Sequence, residues 1–549
     1  IPTIVTSYSD FQAKFGDVVK SGSDSAQFLT SHAAEEYLKS SNTLTVVRIL
    51  DGDFLPASAA ITSSVIGLSG SGAVNMSTAS FTLETLADGG IMNNGSSTVT
   101  TNNILTNGTV HNIRYEISNV NTNKGTFTLL VRAGNDNIKR KQILETFTGV
   151  NLDPNSTNFI QKVVGDQRQM VRTDGSTKYL ELSGSYPNKS NYVRVSSVEQ
   201  PTIDYLDENG NLRVNSFTAS LPAVGSGSEH GGFSGGSSGY FGLNSDGTLD
   251  VQAAAAVPNP TGSAVNFYEN IGSQTQGFNP TDITTKNGGA AYSEAIDLLA
   301  NQDEFDINLI LAPGLIHNVH SAVTNKIIDT CEDRGDCFAI IDPVVYAKNP
   351  ADAVTEAESV DSNFAAMYYP WVKVPDSRVA GTQRWVPPSV VLGGIYAFND
   401  RVAHPWFAPA GLNRGGITTA IQAQRKLTQG ERDTLYDSNV NPIATFPGQG
   451  VTVFGQKTLQ KKASALDRIN VRRLLIRCKK FIASSSRFLV FEQNTAATRR
   501  RFLGIVNPFL ENVQSQSGLS AFRVVMDETN NTPDTIDRNQ LVGQLFLQP

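Results

Sequence analysis

Three apolar runs decide the fold: FDINLIL (305–311), CFAII (337–341) and AAMYYPWV (365–372). Each is too short for a helix and rich in the residues that buried strands favour. Between them lie segments with helical spacing, Ile316–Asp333 and Ala351–Ser362, and a further one, Ala291–Ala300, precedes the set. Strand, helix and strand in alternation imply a parallel sheet covered by helices. Pro313-Gly314 and Asp342-Pro343 punctuate the ends of the first two strands.

Outward from this core the texture changes on both sides. Towards the N-terminus, residues 58–201 are dominated by Ser, Thr, Asn and Gly. Short β-prone runs (Ser97–Thr101, Thr109–Ile117, Gly125–Arg132, Tyr192–Val198) alternate there with turn pairs such as Asn107-Gly108 and Asp174-Gly175. That pattern predicts an all-β domain inserted into the α/β fold. Before it, residues 1–57 read as strand, helix and strand, closing on LTVVRIL (44–50). The expected organisation is an α/β middle domain from 1–57 and 202–375, with a flexible Gly/Ser loop at 222–250. The β-rich insert occupies 58–201, and a helix-rich C-terminal domain 376–549. The fold class is thus mixed α/β and α+β, in several domains. In the last of them, helices are expected at Pro388–Val402, Leu466–Ser484 and Ala496–Gln516, the third kinked or split at Pro508. Late strands are expected at Phe522–Asp527 and Gln540–Leu547.

At 549 residues the chain has room for several cores. No apolar run approaches the roughly 18–20 residues that span a bilayer, and no signal peptide is visible. The sequence opens on Ile1 and closes within the apolar stretch 541–547, so it reads as part of a longer chain. Three cysteines, Cys331, Cys337 and Cys478, make no disulfide framework. The spacing CEDRGDC is not that of a zinc site. Cys331 and Cys337 read as buried or half-buried thiols, with a redox or metal role as the alternative.

The chain carries few residues arranged for reaction chemistry. Phosphate-loop, zinc-protease and nucleophile-elbow motifs are absent. His317 and His320 share a helix face but lack a third ligand, and His404 has no nucleophile beside it. Arg334-Gly335-Asp336 reads as a helix stop. Asp342 and Asp361 lie near strand ends, where α/β enzymes place catalytic groups, but no partners converge on them. The chain is therefore expected to be non-enzymatic and to hold no cofactor and no metal.

Charge is more informative. The chain carries a net −7, yet Val451–Arg501 holds thirteen Lys and Arg against two Asp and Glu. Taken as a helix of about 100° per residue, 466–482 gathers Val471, Leu474, Leu475, Cys478, Phe481 and Ile482 in one arc of about 120°. Arg468, Arg472, Arg473, Arg477, Lys479 and Lys480 fall on the opposite half. Ile469 and Ile476 lie within that basic half, which implies that it too packs against something. A second cluster, Arg499-Arg500-Arg501, opens the next helix, where cations oppose the helix dipole. Both clusters are candidates for contact with an acidic protein surface. A solvated face and nucleic acid are the alternatives, the latter disfavoured by the acidic chain and the lack of interleaved aromatics.

The order of motifs in this half resembles contractile phage tail sheath proteins. It runs RWVPPSVVLGGIYAFNDRVAHPWFAPAGLNRGGI (384–417), LTQGERDTLYDSNVNPIATFPGQGVTVFGQKTL (427–459), INVRRLLIRCKKFI (469–482), FEQNT (491–495) and DETNNTPDTIDRNQLVGQLFLQP (527–549). Upstream, PTIVTSYSDFQAKFG (2–16), VVRILDG (46–52), LETFTGVNLDPNSTNFI (144–160) and FDINLILAPG (305–314) fit the same family. The likeness fades over 60–110 and 215–285. It implies a subunit that polymerises with its own copies as stacked six-fold rings around a tail tube protein. Baseplate and tail terminator proteins would meet the ends. It implies neighbours linked by strand addition, and contraction powered by a metastable lattice. It also implies assembly in the host bacterial cytoplasm, a place in the virion tail, and no direct nucleic-acid or stable membrane contact. A tailocin or secretion-system sheath is the alternative. A hydrolase-like enzyme and a receptor-binding adhesin are weaker readings, lacking a nucleophile and conflicting with the collinear motifs respectively.

Overall fold

The computed structural model describes residues 1–16, 18–21, 24–49, 55–63, 79–94, 102–175, 177–223, 231–236, 288–376 and 381–549. The expected strand at Ser97–Thr101, and all of the Gly/Ser loop except 222–223 and 231–236, lie outside these residues. The chain forms two compact units, Leu50–Ser263 and a unit made of Ile1–Ile49 with Ala264–Pro549.

The first unit is β-rich, as expected. Strands Pro56–Thr62, Ala79–Asp88 and Val193–Val198 form one antiparallel sheet, and Ile113–Asn121, Thr126–Ala133 and Ile143–Asn151 another. Alternate residues of both sheets meet in a shared core, where the Phe81 and Phe127 rings lie 5.6 Å apart. The core also takes in Tyr205, Leu221 and Phe233, so the unit extends beyond the 58–201 boundary read from composition. These residues sit in a turn-rich stretch with no strand signature, and only packing assigns them.

The second unit is built on a five-stranded sheet: β1 (Leu309–Ile316), β2 (Phe338–Asp342), β3 (Ala365–Tyr369), β4 (Val440–Phe446) and β5 (Gly450–Val453), in that order. β1 to β4 are parallel, with Ile340 opposite Ala366 and Met367 opposite Val440. β5 returns antiparallel. β4 and β5 come from beyond residue 376, so the sheet draws on both sides of the expected boundary at 375/376. The expected strand 365–372 is divided at Pro370, which has no N–H to give a ladder. Its second part, Val372–Pro375, pairs with Gln383–Val386 and Gln422–Ala423 in a separate sheet.

Period-two alternation buries both faces of the sheet. Phe338, Ile340, Ala366, Tyr368 and Ile443 point to one side. That side is covered by Leu29 and Ala33 of the helix Leu29–Leu38 and by Val390, Val391, Leu392, Ile395 and Tyr396 of Pro388–Val402. Ala339, Ile341, Ala365, Met367 and Val440 point to the other, against Val323, Ile327 and Ile328 of His317–Arg334, Ala353 and Ala357 of Pro350–Glu358, and Leu435 of Gln429–Asp437. Past the sheet, the helix Ala496–Ser515 runs unbroken through Pro508 and packs on a hairpin of Ala521–Val525 and Gln544–Gln548.

Two buried polar side chains fasten the sheet. Asn441 on β4 is inaccessible; its Nδ2 donates to the Met367 carbonyl at 3.1 Å and the Lys457 carbonyl at 2.8 Å, and its Oδ1 accepts from Lys457 N at 2.6 Å. Asp342, at the end of β2, accepts from Ser389 N at 2.9 Å and Ser389 Oγ at 2.5 Å in the first turn of Pro388–Val402. Burial lifts its carboxyl to about 7, against the opposing pull of the Ser389 bonds.

Asn441→Ala removes three buried hydrogen bonds to backbone groups and is expected to cost about 3 kcal/mol by chemical denaturation. Asp342 has a folded pKa above its unfolded value. Its contribution is full below about pH 4 and lost as pH rises through about 7. The melting temperature of wild type relative to Asp342→Asn should therefore fall across that window, and parallel curves for the two proteins would refute the assignment.

Candidate functional site

The basic segment is a helix, Ile469–Ser486, joined by a corner at Arg487–Leu489 to the helix Ala496–Ser515. Thr495 caps the second helix through its side chain, which accepts from Thr498 N. The basic helix is covered along two edges. Leu474 and Cys478 enter a cluster with Trp406, Phe502, Val506 and Leu510. Ile469 and Ile476 enter the cluster on the sheet face. The helix is a wedge between the sheet and the C-terminal helix, which answers why two isoleucines fall within its basic half.

The wedge decides the fate of the cations. Arg472 and Arg473 are each only 5% exposed. Arg473 forks onto the two carboxylate oxygens of Asp400, at 2.9 and 2.5 Å, with its guanidinium 4.8 Å from the Tyr396 ring centre. Arg472 lies 4.0 Å from the Phe364 ring centre and bonds to Asn363 Oδ1. Burial pushes its guanidinium down to about 10. Lys480 donates to Asp306 at 2.6 Å and to the Ile307 carbonyl at 2.5 Å, and lies 3.6 Å from Asp336. Its hydrogen bond holds the Asp306 carboxyl below its ordinary value. Arg487 pairs with Asp303 at 2.5 Å. Arg468 is half-buried, bonded to the Tyr436 hydroxyl and 3.2 Å from Asp467.

The expectation of one outward basic face is thus corrected for Arg472 and Arg473, which lie inside the fold. A long apolar stem and a planar fork allow arginine to be buried where a carboxylate and a ring receive it. Part of the acidic surface expected on a partner is supplied by Asp303, Asp306, Asp336 and Asp400 of the same chain. Arg477 and Lys479 remain exposed. In the second cluster Arg499 is 8% exposed, while Arg500 and Arg501 are exposed.

The corner adds residues that charge counting overlooked. Phe488 is 76% exposed, Val490 59%, and Phe491 is fully exposed in a left-handed conformation, φ 72°. A phenylalanine at positive φ is strained, and such strain persists where surroundings or function demand it. The signal was present as RFLVF (487–491), a dense apolar run beyond a helix end.

The residues weighed for chemistry have packing roles. His317 is buried, hydrogen-bonded to Thr324 at 2.8 Å and Ser359 at 3.2 Å. His320 Nδ1 accepts from Ile316 N at 3.0 Å. Asp361 accepts from Lys461 N at 2.9 Å. Gly335 ends its helix at φ 66°, and Arg334 bonds to Asp336 and the carbonyls of Leu299 and Phe305. Among the described residues no group of His, Cys, Asp or Glu could hold a metal ion, and no helix is long and apolar enough to cross a membrane.

Comparison with known proteins places this geometry. Residues 286–459 match the phage tail sheath protein central domain, and residues 461–549 the phage tail sheath C-terminal domain. The first range holds the five-stranded sheet, the second the wedge and the corner. The tail sheath protein of Vibrio phage KVP40 is 31% identical over 320 residues, covering 52% of this chain and 48% of that protein. That of Enterobacteria phage T4 is 32% identical over 307 residues, covering 50% and 46%. The chain spans about half the length of the curated relatives it matches. The sheath tail protein Lin1278 of Listeria innocua shares the fold at 10% identity, with a TM-score of 0.51 over 96% of this chain and 85% of that one.

Arg473→Ala removes the fork onto Asp400, whose side chain is 26% exposed and can take up water, and is expected to cost about 1.5–3 kcal/mol. Arg477→Ala, on the exposed side, should stay within about 0.5 kcal/mol. Equilibrium unfolding of the two variants checks the contrast.

Proposed function

We infer the function from membership: the chain belongs to the contractile phage tail sheath family, and we propose that it is the structural, non-enzymatic subunit of such a sheath. Copies stack as six-fold rings around the tail tube, between baseplate and terminator, and contract to drive the tube through the host envelope. The subunit is assembled in the host cytoplasm and resides in the virion tail.

The observation that carries this reading is the succession of both sheath domains along 286–549. Two surface features support it. The exposed cations Arg477, Lys479, Arg500 and Arg501 suit an acidic face on the tube or on a neighbouring copy. The apolar corner of Phe488, Val490 and Phe491 suits a hydrophobic contact beside them. Exposed ion pairs contribute only about 0–1 kcal/mol each, so a lattice held by many of them can be firm in sum and still release. The hairpin Ala521–Val525 and Gln544–Gln548 is two-stranded, with Phe546 57% exposed. A strand from another copy could extend it.

Electron microscopy of the purified full-length protein is expected to reveal tubular polymers with six-fold rings. Reversing Arg477, Lys479, Arg500 and Arg501 together to Glu should leave the melting temperature within a few degrees and abolish ordered tubes on the tail tube. Tubes of normal length and normal contraction in that variant would sink the assigned contact surface.

A further inference from the structure

The turn that ends the helix His317–Arg334 holds a feature the sheath reading does not use. Cys331, in the last helical turn, and Cys337, immediately before β2, lie with their sulfurs 3.4 Å apart, within hydrogen-bond reach of each other. Both are buried and both are free thiols. A disulfide needs about 2.05 Å between sulfurs, so a shift of little more than an ångström separates the pair from a bond. Between them the Gly335 turn already brings the chain back on itself, its N–H donating to the Cys331 carbonyl at 2.9 Å.

We propose that Cys331 and Cys337 are a redox pair that closes to an intramolecular disulfide when the protein meets a small neutral disulfide oxidant. The proposal is independent of the sheath reading. The Cys337 thiolate attacks one sulfur of the oxidant and expels one thiol. Cys331 Sγ then loses its proton, attacks the Cys337 sulfur and expels the second thiol. Two protein thiols become one disulfide, one oxidant disulfide becomes two thiols, and the protons pass to the leaving thiolates.

The surroundings favour this order. The partner thiol and the Arg334 guanidinium lower the Cys337 thiol, while the Cys331 thiol is raised by the same hydrogen bond and by burial. Access requires only local opening, because Glu332 and Asp333 are exposed and Gly335 and Asp336 half-buried. Around the turn Glu332, Asp333 and Asp336 are offset by Arg334, Lys479 and Lys480, so an uncharged oxidant meets neither net attraction nor net repulsion there. Asp336 also faces Lys480 of the wedge helix, so the bond would stiffen the turn on which that helix rests.

The full chain is treated under native conditions with hydroxyethyl disulfide. Free thiols are blocked, and the protein is digested with trypsin without reduction. Trypsin cuts between the two cysteines, after Arg334. The expected product is peptide 327–334 joined to 335–348, separating on reduction, with Cys478 still blocked as a free thiol. Loss of the joined peptide in Cys331→Ser, and a melting temperature a few degrees higher for the oxidised than for the reduced wild type, would support the pair. Three blocked thiols in the native protein, under conditions that cross-link the same chain in urea, would overturn it. So would a mixed disulfide with hydroxyethyl thiol that persists at Cys337.

Discussion

A parallel sheet buried on both faces cannot stand without a cover on each, and here the cover on one face depends on a charged helix. Ile469 and Ile476 reach the sheet-side cluster while Leu474 and Cys478 hold the C-terminal one. Between those two edges the polypeptide must bury two guanidinium groups. The fork from Arg473 to Asp400, with Tyr396 beneath it, is what makes that burial tolerable. Without a carboxylate in place, a charge taken out of water costs several kcal/mol. Asp400 stands on the very helix that covers the sheet, Pro388–Val402. One ion pair therefore fixes the wedge to the sheet's own cover.

Much of this was legible beforehand, for identifiable reasons. β1 to β3 are short, continuous and apolar, and their alternation with helices leaves few topologies. Pro388–Val402 begins on a proline and matches its expected bounds. The boundaries between units were harder. Tyr205 and Phe233 carry no strand pattern, yet pack in the β-rich core. β4 follows a long helical and irregular stretch but pairs with β3. Pairing across some seventy residues leaves no local trace.

The candidate surface was half legible. Sequence periodicity put Arg472 and Arg473 together on one side, and the isoleucines among them pointed to packing. It could not reveal that Asp400 and Phe364 would meet those arginines, since the partners lie about 70 and 110 positions away. The segregation of charge along the chain has an internal explanation as well. Asp303, Asp306, Asp336 and Asp400 are drawn by folding to Arg473, Lys480 and Arg487, leaving a smaller set outside. Net charge by segment overstates what remains for other molecules.

The β-rich unit has a core of its own, closed around Phe81 and Phe127 and reinforced by Arg132 held between Glu116 and Asp136. An element that satisfies its own apolar and ionic demands places few demands on the rest of the chain. Such an element has the makings of a domain that folds by itself. Excised at its own boundaries, Leu50–Ser263, it would be the part of the chain best suited to separate expression.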